Sequence, residues 1–209
     1  NSGDPSSGGG HFRCRAPGHV RRKSWYADLN GDNIVDGDDR MTTGYSERPE
    51  YVFGFNGGFS YKGFNFSMQW SGATHVNKML QVEYRIPFTN AGKRGLLDYF
   101  YKQGWTEENQ LGAKYPRAAE TSETWNSENS TLWLKDASYI RLKTLTIGYT
   151  FTNKRFLKAI GAKSLGLSLN GYNLLTFSPL DILDPESLGN NVGAYPLVKV
   201  YSVGVNLNF

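Results

Sequence analysis

The chain of 209 residues has a single cysteine, Cys14, so an internal disulfide framework is excluded. No stretch approaches the roughly 18 consecutive apolar residues of a membrane-spanning helix. That excludes an α-helical membrane protein, but not a barrel, whose strands are only half apolar. A secretory leader is lacking at the N-terminus, so an exported chain would take its export signal from a part outside this sequence. Histidine is scarce: His11, His19 and His75 are all there is, and none sits with Ser, Cys and Asp as hydrolytic chemistry requires. A phosphate-binding glycine loop is also lacking. With no catalytic constellation, no enzyme is expected.

The charge is unevenly spread. Arg13, Arg15, Arg21, Arg22 and Lys23 are opposed by Asp4 alone within residues 1–24, so this head carries the whole formal net charge of +4 and the remainder is balanced. The head is rich in Gly, Ser and Arg and shows no periodicity, and the composition changes at Trp25. It reads as a disordered basic head foreign to the rest. A basic tail can bind phosphates, but no nucleic-acid partner is expected of the chain.

What the sequence does have is alternation. It holds 24 glycines, above an average share of about 7%, and 14% aromatics, a mixture suited to strands and turns. Five segments alternate with period two, which puts apolar side chains on one face and small polar ones on the other. They are Tyr51–Tyr61, Phe64–Ser71, Thr144–Thr152, Ser164–Asn170 and Tyr201–Phe209. The last ends on a terminal aromatic. Ser202, Gly204, Leu207 and Phe209 resemble the C-terminal signal that directs assembly of outer-membrane barrels. Alone, the alternation fits an edge strand of a soluble sandwich equally well.

The connections point to one reading. Lys62-Gly63 is a tight turn, 72–138 is very long, 153–162 is short with room for one helical turn, and 174–195 is long again. Short turns at one end and long loops at the other are the pattern of a transmembrane barrel. The expected fold class is therefore all-β: the C-terminal portion of an antiparallel transmembrane barrel, about five strands of it, over 51–209. Five strands cannot close, and an open edge in lipid would strand backbone N–H and C=O groups. The chain is thus expected to be part of something larger.

A second signal lies in 25–50. Asp28, Asn30, Asp32, Asp36 and Asp39 place oxygen side chains at positions 1, 3, 5, 9 and 12 of a calcium loop, with the Ile34 carbonyl at position 7. Position 6 is Asn33 instead of Gly, which tolerates the left-handed backbone needed there. Position 12 is Asp39, shorter than the usual Glu. The expected cofactor is one structural calcium ion, and the plain alternative is a solvated acidic turn. Trp105, Trp125 and Trp133, in the long connection, are expected to pack it and not to stack on sugars.

From Trp25 to Phe209 the chain resembles the C-terminal end of a SusC/RagA-type TonB-dependent outer-membrane transporter. The stretches that carry the resemblance are YADLNGDNIVDGDD, the YKGFNFSMQWSG hairpin, Tyr115–Arg117, Ser130–Phe151, Gly171–Ser178, Asp184–Ser187 and the Phe209 end. Residues 1–24 do not match. The resemblance implies a barrel of about 22 strands with a plugged lumen, in the outer membrane of a Gram-negative bacterium. It implies energy supplied through the TonB complex, a SusD-type surface lipoprotein partner, and cargo such as oligosaccharides or peptides. The rival reading is a soluble, secreted β-sandwich that binds carbohydrate, with a dockerin-like calcium loop.

Overall fold

In the computed structural model, the described residues are 11–13, 26–42, 44–88, 95–119, 124–152, 155–187 and 196–209. In chain order the elements are β1 (His11–Arg13), β2 (Arg40–Thr42), β3 (Tyr51–Tyr61), β4 (Phe64–Thr74), β5 (Asn77–Met79), α1 (Val82–Arg85), α2 (Asp98–Gln103), α3 (Thr124–Ser127), β6 (Leu134–Asp136), β7 (Tyr139–Thr152), α4 (Arg155–Ala159), β8 (Ser164–Phe177) and β9 (Val200–Asn208). They fall into two compact units.

One unit is a five-stranded antiparallel sheet in the order β3-β4-β7-β8-β9. Its strands run 9 to 14 residues, each at least as long as the roughly 9 that cross a bilayer at a tilt. The register aligns the alternation across all five strands. One row is Tyr61, Phe64, Tyr149, Leu167 and Val205, and the next of the same face is Phe59, Phe66, Ile147, Leu169 and Val203. Between them lies the row Ser60, Asn65, Gly148, Ser168 and Gly204, with Gly58, Ser67, Thr146, Asn170 and Ser202 on the same opposite face. The sheet is therefore apolar on one side and small and polar on the other, as period two dictates.

All five expected strands form, but three run longer than the alternation shows. β4 continues to Thr74, β7 starts at Tyr139 and β8 continues to Phe177. Bulges hide the extensions. Lys143 has no partner between the pairs Gln69–Thr144 and Trp70–Leu142. Across it, β8 inserts Asn173 and Leu174, with Asn173 at φ 53°. Each extra residue shifts the parity, so beyond the bulge the apolar face continues through Phe55, Trp70, Leu142 and Leu175.

The connections sort by end as expected. The Lys62-Gly63 turn, the α4 connection and the C-terminus lie at one end of the sheet, and the strand ends that lead into and out of residues 75–138 and 178–199 lie at the other. Lys62 (φ 47°) and Gly63 (φ 91°) are both left-handed, the conformation of a two-residue hairpin turn whose twist suits the flanking strands.

The other unit draws its described residues from those before Glu50 and from His75–Asp136. The long connection is thus no plain loop. It has a core of Leu80, Phe100, Tyr115, Pro116 and Trp133. Trp133 is fully buried, stacks on Tyr115 with ring centres 5.7 Å apart, and donates its indole N–H to the Asn126 carbonyl at 2.9 Å. Trp133 packs this unit as expected and Trp105 is half-buried, while the Trp125 side chain lies outside the described residues. β5 pairs with β6, and β1 with β2. The disorder expected of residues 1–24 lies outside the described residues, except that His11–Arg13 forms the short strand β1.

Candidate functional site

The functional surface of the sheet is its pair of faces. On the apolar face, Phe59 is 58% exposed, Leu169 52% and Val203 75%. Tyr61, Phe53, Phe55, Ile147, Tyr149, Leu167, Val205 and Leu207 are exposed with them. Aromatic side chains pave it: Phe59 stacks on Phe66 at 5.4 Å and Phe55 on Trp70 at 6.1 Å. Soluble monomers rarely expose a contiguous apolar patch beyond a few hundred Å², and this one runs the width of five strands.

The polar face is built from Ser, Thr, Asn, Gln and Gly. The Thr146 hydroxyl donates to Asn170 Oδ1 at 2.9 Å, and the Ser60 hydroxyl to Asn65 Oδ1 at 2.7 Å. Small residues are required in places: a Cβ on Gly58 would lie 2.8 Å from the Phe66 carbonyl oxygen.

The expected assembly-signal residues all lie on or beside β9, an outer strand of the sheet. Ser202 and Gly204 sit on the polar face opposite Asn170 and Ser168, and Leu207 sits on the apolar face opposite Leu165. Phe209 is 70% exposed, and its carbonyl accepts from Lys163 Nζ at 2.9 Å.

The acidic loop precedes β2 in the other unit. Its carboxylates are turned onto the loop's own backbone. Asp28 accepts from the N–H groups of Gly31 (2.6 Å) and Asn33 (2.8 Å), Asp32 from Ile34 (2.7 Å), and Asp36 from Asp38 (2.9 Å). Asn30 Oδ1 accepts from the Asp32 N–H at 2.9 Å, and Asn30 Nδ2 donates to Asp32 Oδ2 at 2.9 Å. Asp39 is fully buried and accepts from Leu29 (2.7 Å) and Asp36 (2.9 Å), closing the loop from its far end. Asn33 takes the left-handed backbone, φ 65°, that position 6 demands, and Ile34 is exposed. The donor set is the hard-oxygen one that calcium takes. Among the described residues, however, no three acidic, His or Cys side chains converge as a metal cage would.

A cluster that the period-two reading passed over lies on the polar face beside the bulge. Arg141, with its side chain 3% exposed, pairs with Asp184 at 2.7 Å and Glu186 at 2.9 Å. Lys143 pairs with the same Glu186. Burial alone would raise the Asp184 carboxyl. The Arg141 guanidinium, with the backbone N–H groups of Glu186 and Leu197, outweighs it and holds the group below its ordinary range. The sequence signal was available: these are two cations in otherwise uncharged strands, and two acids in Asp184-Pro185-Glu186-Ser187.

Comparison with known proteins gives relatives for both the sequence and the fold. The chain is 33% identical over 198 residues to TonB-dependent receptor P26 of Formosa agariphila, a match covering 88% of this chain and 19% of that protein. The chain matches a segment of a TonB-dependent receptor. A second receptor of that organism, P3, is 27% identical over 197 residues, again 88% of this chain and 19% of the other. The fold agrees. The RagAB peptide importer in its open-open state superposes with a TM-score of 0.71 at 22% identity, covering 100% of this chain and 24% of that one. Another structure of the RagAB peptide transporter gives 0.73 at 21% identity over 99% and 24%. No family model matches. The chain spans about a fifth of the length of the curated relatives it matches. These relatives are receptors and importers, not enzymes, in keeping with the reading of the sequence. The five-stranded sheet accordingly has the fold of part of the barrel in those transporters.

Proposed function

We propose that the chain forms the C-terminal wall of an energised outer-membrane importer of nutrients, oligosaccharides or peptides. In this reading it works with a SusD-type surface lipoprotein and takes energy through the TonB complex. One observation carries the proposal: the segment with 33% identity to a TonB-dependent receptor folds into a sheet whose two faces separate in register over all five strands. A soluble carbohydrate-binding sandwich would bury one face against a second sheet, yet here the aromatic face stays exposed. The RagAB structures, a peptide importer, support the importer reading and the two-component assembly.

The wall's part in this is passive. Lipid-facing side chains such as Ile147 and Leu169 hold it in the bilayer, and lumen-facing hydroxyls and amides line the interior. The outer strand β9 carries the assembly signal and pairs with a strand of the rest of the barrel. The acidic loop takes one calcium ion, and binding would draw its carboxylates together from their present backbone partners.

The test is made on the full-length parent. It should fractionate with the outer membrane, migrate as a heat-modifiable band, and co-purify with the lipoprotein encoded beside it. Uptake of the glycan or peptide that induces its expression should stop when the proton gradient is collapsed. A parent found in the medium would refute the membrane reading. Uptake that survives loss of the gradient would refute energised import.

A further inference from the structure

The five wall strands contain only two charged residues, Arg141 and Lys143, both in β7. They stand on the lumen face at the end of the sheet that carries the long connections. We propose that they are an anchor that straps the connection after β8 to the inside of the wall. This makes the two described limbs of that connection, 178–187 and 196–199, a fixed ledge at the mouth and leaves the wall strands with no cation outside the anchor. The proposal rests on the reading of the polar face as lumenal.

The geometry is that of a strap with one central buckle. Arg141 uses all three guanidinium nitrogens. Nη2 donates to Asp184 Oδ1 at 2.7 Å, Nη1 to Glu186 Oε2 at 2.9 Å, and Nε to the Thr176 hydroxyl at 2.9 Å. Lys143 bonds the Glu186 carboxylate beside it. The bulge explains how both cations reach one acid: the extra residue on β7 breaks the alternation that would send neighbours to opposite faces. Asp184 then ties the two limbs of the connection together. Its Oδ1 accepts from the Glu186 N–H at 2.9 Å on the outgoing limb, and its Oδ2 from the Leu197 N–H at 3.2 Å on the returning limb. Ser187 donates to the Asp184 carbonyl at 2.8 Å. Two further stitches hold the limbs to the wall: Ser178 to the Ser138 carbonyl at 2.8 Å, and Asn173 Nδ2 to the Val198 carbonyl at 3.3 Å.

The chemistry favours this role over incidental surface pairing. Exposed ion pairs contribute little, but Arg141 and Asp184 are nearly sealed from solvent, with side-chain exposures of 3% and 8%. A buried cation left without its acid is costly. The wall therefore holds the connection closed as long as its own Arg141 stays buried. Two cations are matched by two carboxylates, so the buckle adds no net charge to the lumen.

Lys199 is the sole Lys or Arg in residues 178–199, which gives a clean probe. Lys199 is exposed, but it follows a limb pinned at Leu197 and Val198, and trypsin needs several flanking residues free of such bonds. Added to intact cells bearing the full-length parent, it should cut there quickly only once the limb opens, freeing the fragment Val200–Phe209, read by mass spectrometry after denaturation. Wild type should resist. Asp184→Asn and Arg141→Met should each be cut at least tenfold faster. The double variant should be cut no faster than the quicker single, because both changes undo one buckle. Arg141→Lys, which keeps the charge but not the three-way fork, should fall between. Glu186→Gln should in addition raise labelling of Lys143 by a membrane-impermeant amine reagent at least tenfold. Cleavage and labelling unchanged from wild type would overturn the proposal. Should Arg141→Met fail to assemble, Asp184→Asn and Glu186→Gln leave the wall strands untouched and decide the matter. Failure of the barrel reading looks different: the wild type itself would lack a heat-modifiable outer-membrane form, or every variant would be cut only after lysis.

Discussion

Ile147→Arg and Thr146→Arg place the same side chain one residue apart on opposite faces of β7. Ile147 lies five residues before the strand's end at Thr152. At about 3.3 Å per residue and a tilt near 40°, that is roughly 12–13 Å of height, half of the ~25 Å apolar band. An arginine there meets Phe66 and Leu169 across the ladder, with Phe59 and Val203 beyond, and no carboxylate. At the bilayer midplane this costs about 2–4 kcal/mol. Thr146→Arg loses the 2.9 Å bond to Asn170, about 1 kcal/mol, and points its charge into a face of Ser, Asn and Gly. The expected gap of about 1–3 kcal/mol is roughly 5- to 150-fold in the folding equilibrium. Both variants are made in the full-length parent, and the heat-modifiable outer-membrane band is quantified alongside the urea midpoint of the purified protein. Thr146→Arg assembling worse than Ile147→Arg would mean that the faces are inverted or that the segment is soluble.

Deleting Phe209 in the parent should sharply lower its outer-membrane level, and unchanged levels would remove the assembly signal from Ser202, Gly204, Leu207 and Phe209. At the hairpin, Gly63→Ala puts a Cβ 2.6 Å from the Thr150 carbonyl oxygen at φ 91°, a strain of about 1–3 kcal/mol. Lys62→Asn, a residue that tolerates φ > 0, should be neutral or stabilising, and urea midpoints compare the two. Asp39→Ala should loosen the acidic loop even without calcium, because it orphans the N–H groups of Leu29 and Asp36 at about 1–3 kcal/mol each. Asp32→Ala should instead weaken calcium binding, measured by calorimetry in the millimolar range. A wild type that binds no calcium there would reduce the loop to a self-capped turn. The lowered Asp184 carboxyl stabilises the strap at neutral pH. That stabilisation fades as pH falls below the ordinary carboxylate range near 4 and through the group's lowered pKa. Exchange of the Leu197 amide, measured relative to Asp184→Asn, should show protection converging on the variant's in acid.

Period two in the sequence is enough to place the strands, because a half-buried strand must alternate and nothing interrupts it in Phe64–Trp70 or Thr144–Phe151. It fails where the structure inserts residues. Lys143 and Asn173 each add one position, so Ile140 and Leu142 read as out of phase with Leu145, although all three lie on the apolar face. A strand extension behind a bulge looks like loop. The fold of the long connection escaped for a different reason. Its elements are three to six residues long, too short to show a period, and its core of Leu80, Phe100, Tyr115 and Trp133 comes from residues far apart in the chain. The acidic loop shows the limit of spacing. The positions for six ligands were legible, but the same Asp and Asn side chains satisfy backbone N–H groups in a self-capped turn, and a pattern of residue types does not distinguish the two. The strap lies further still from what periodicity records. Arg141 and Asp184 meet across more than forty residues because the bulge turns one cation toward another, and its legible trace is compositional. Strands that otherwise exclude every charge keep two cations. A guanidinium as buried as that of Arg141 is costly without its acid, so a cation kept there must have partners, and Asp184 and Glu186 are those that the structure brings to it.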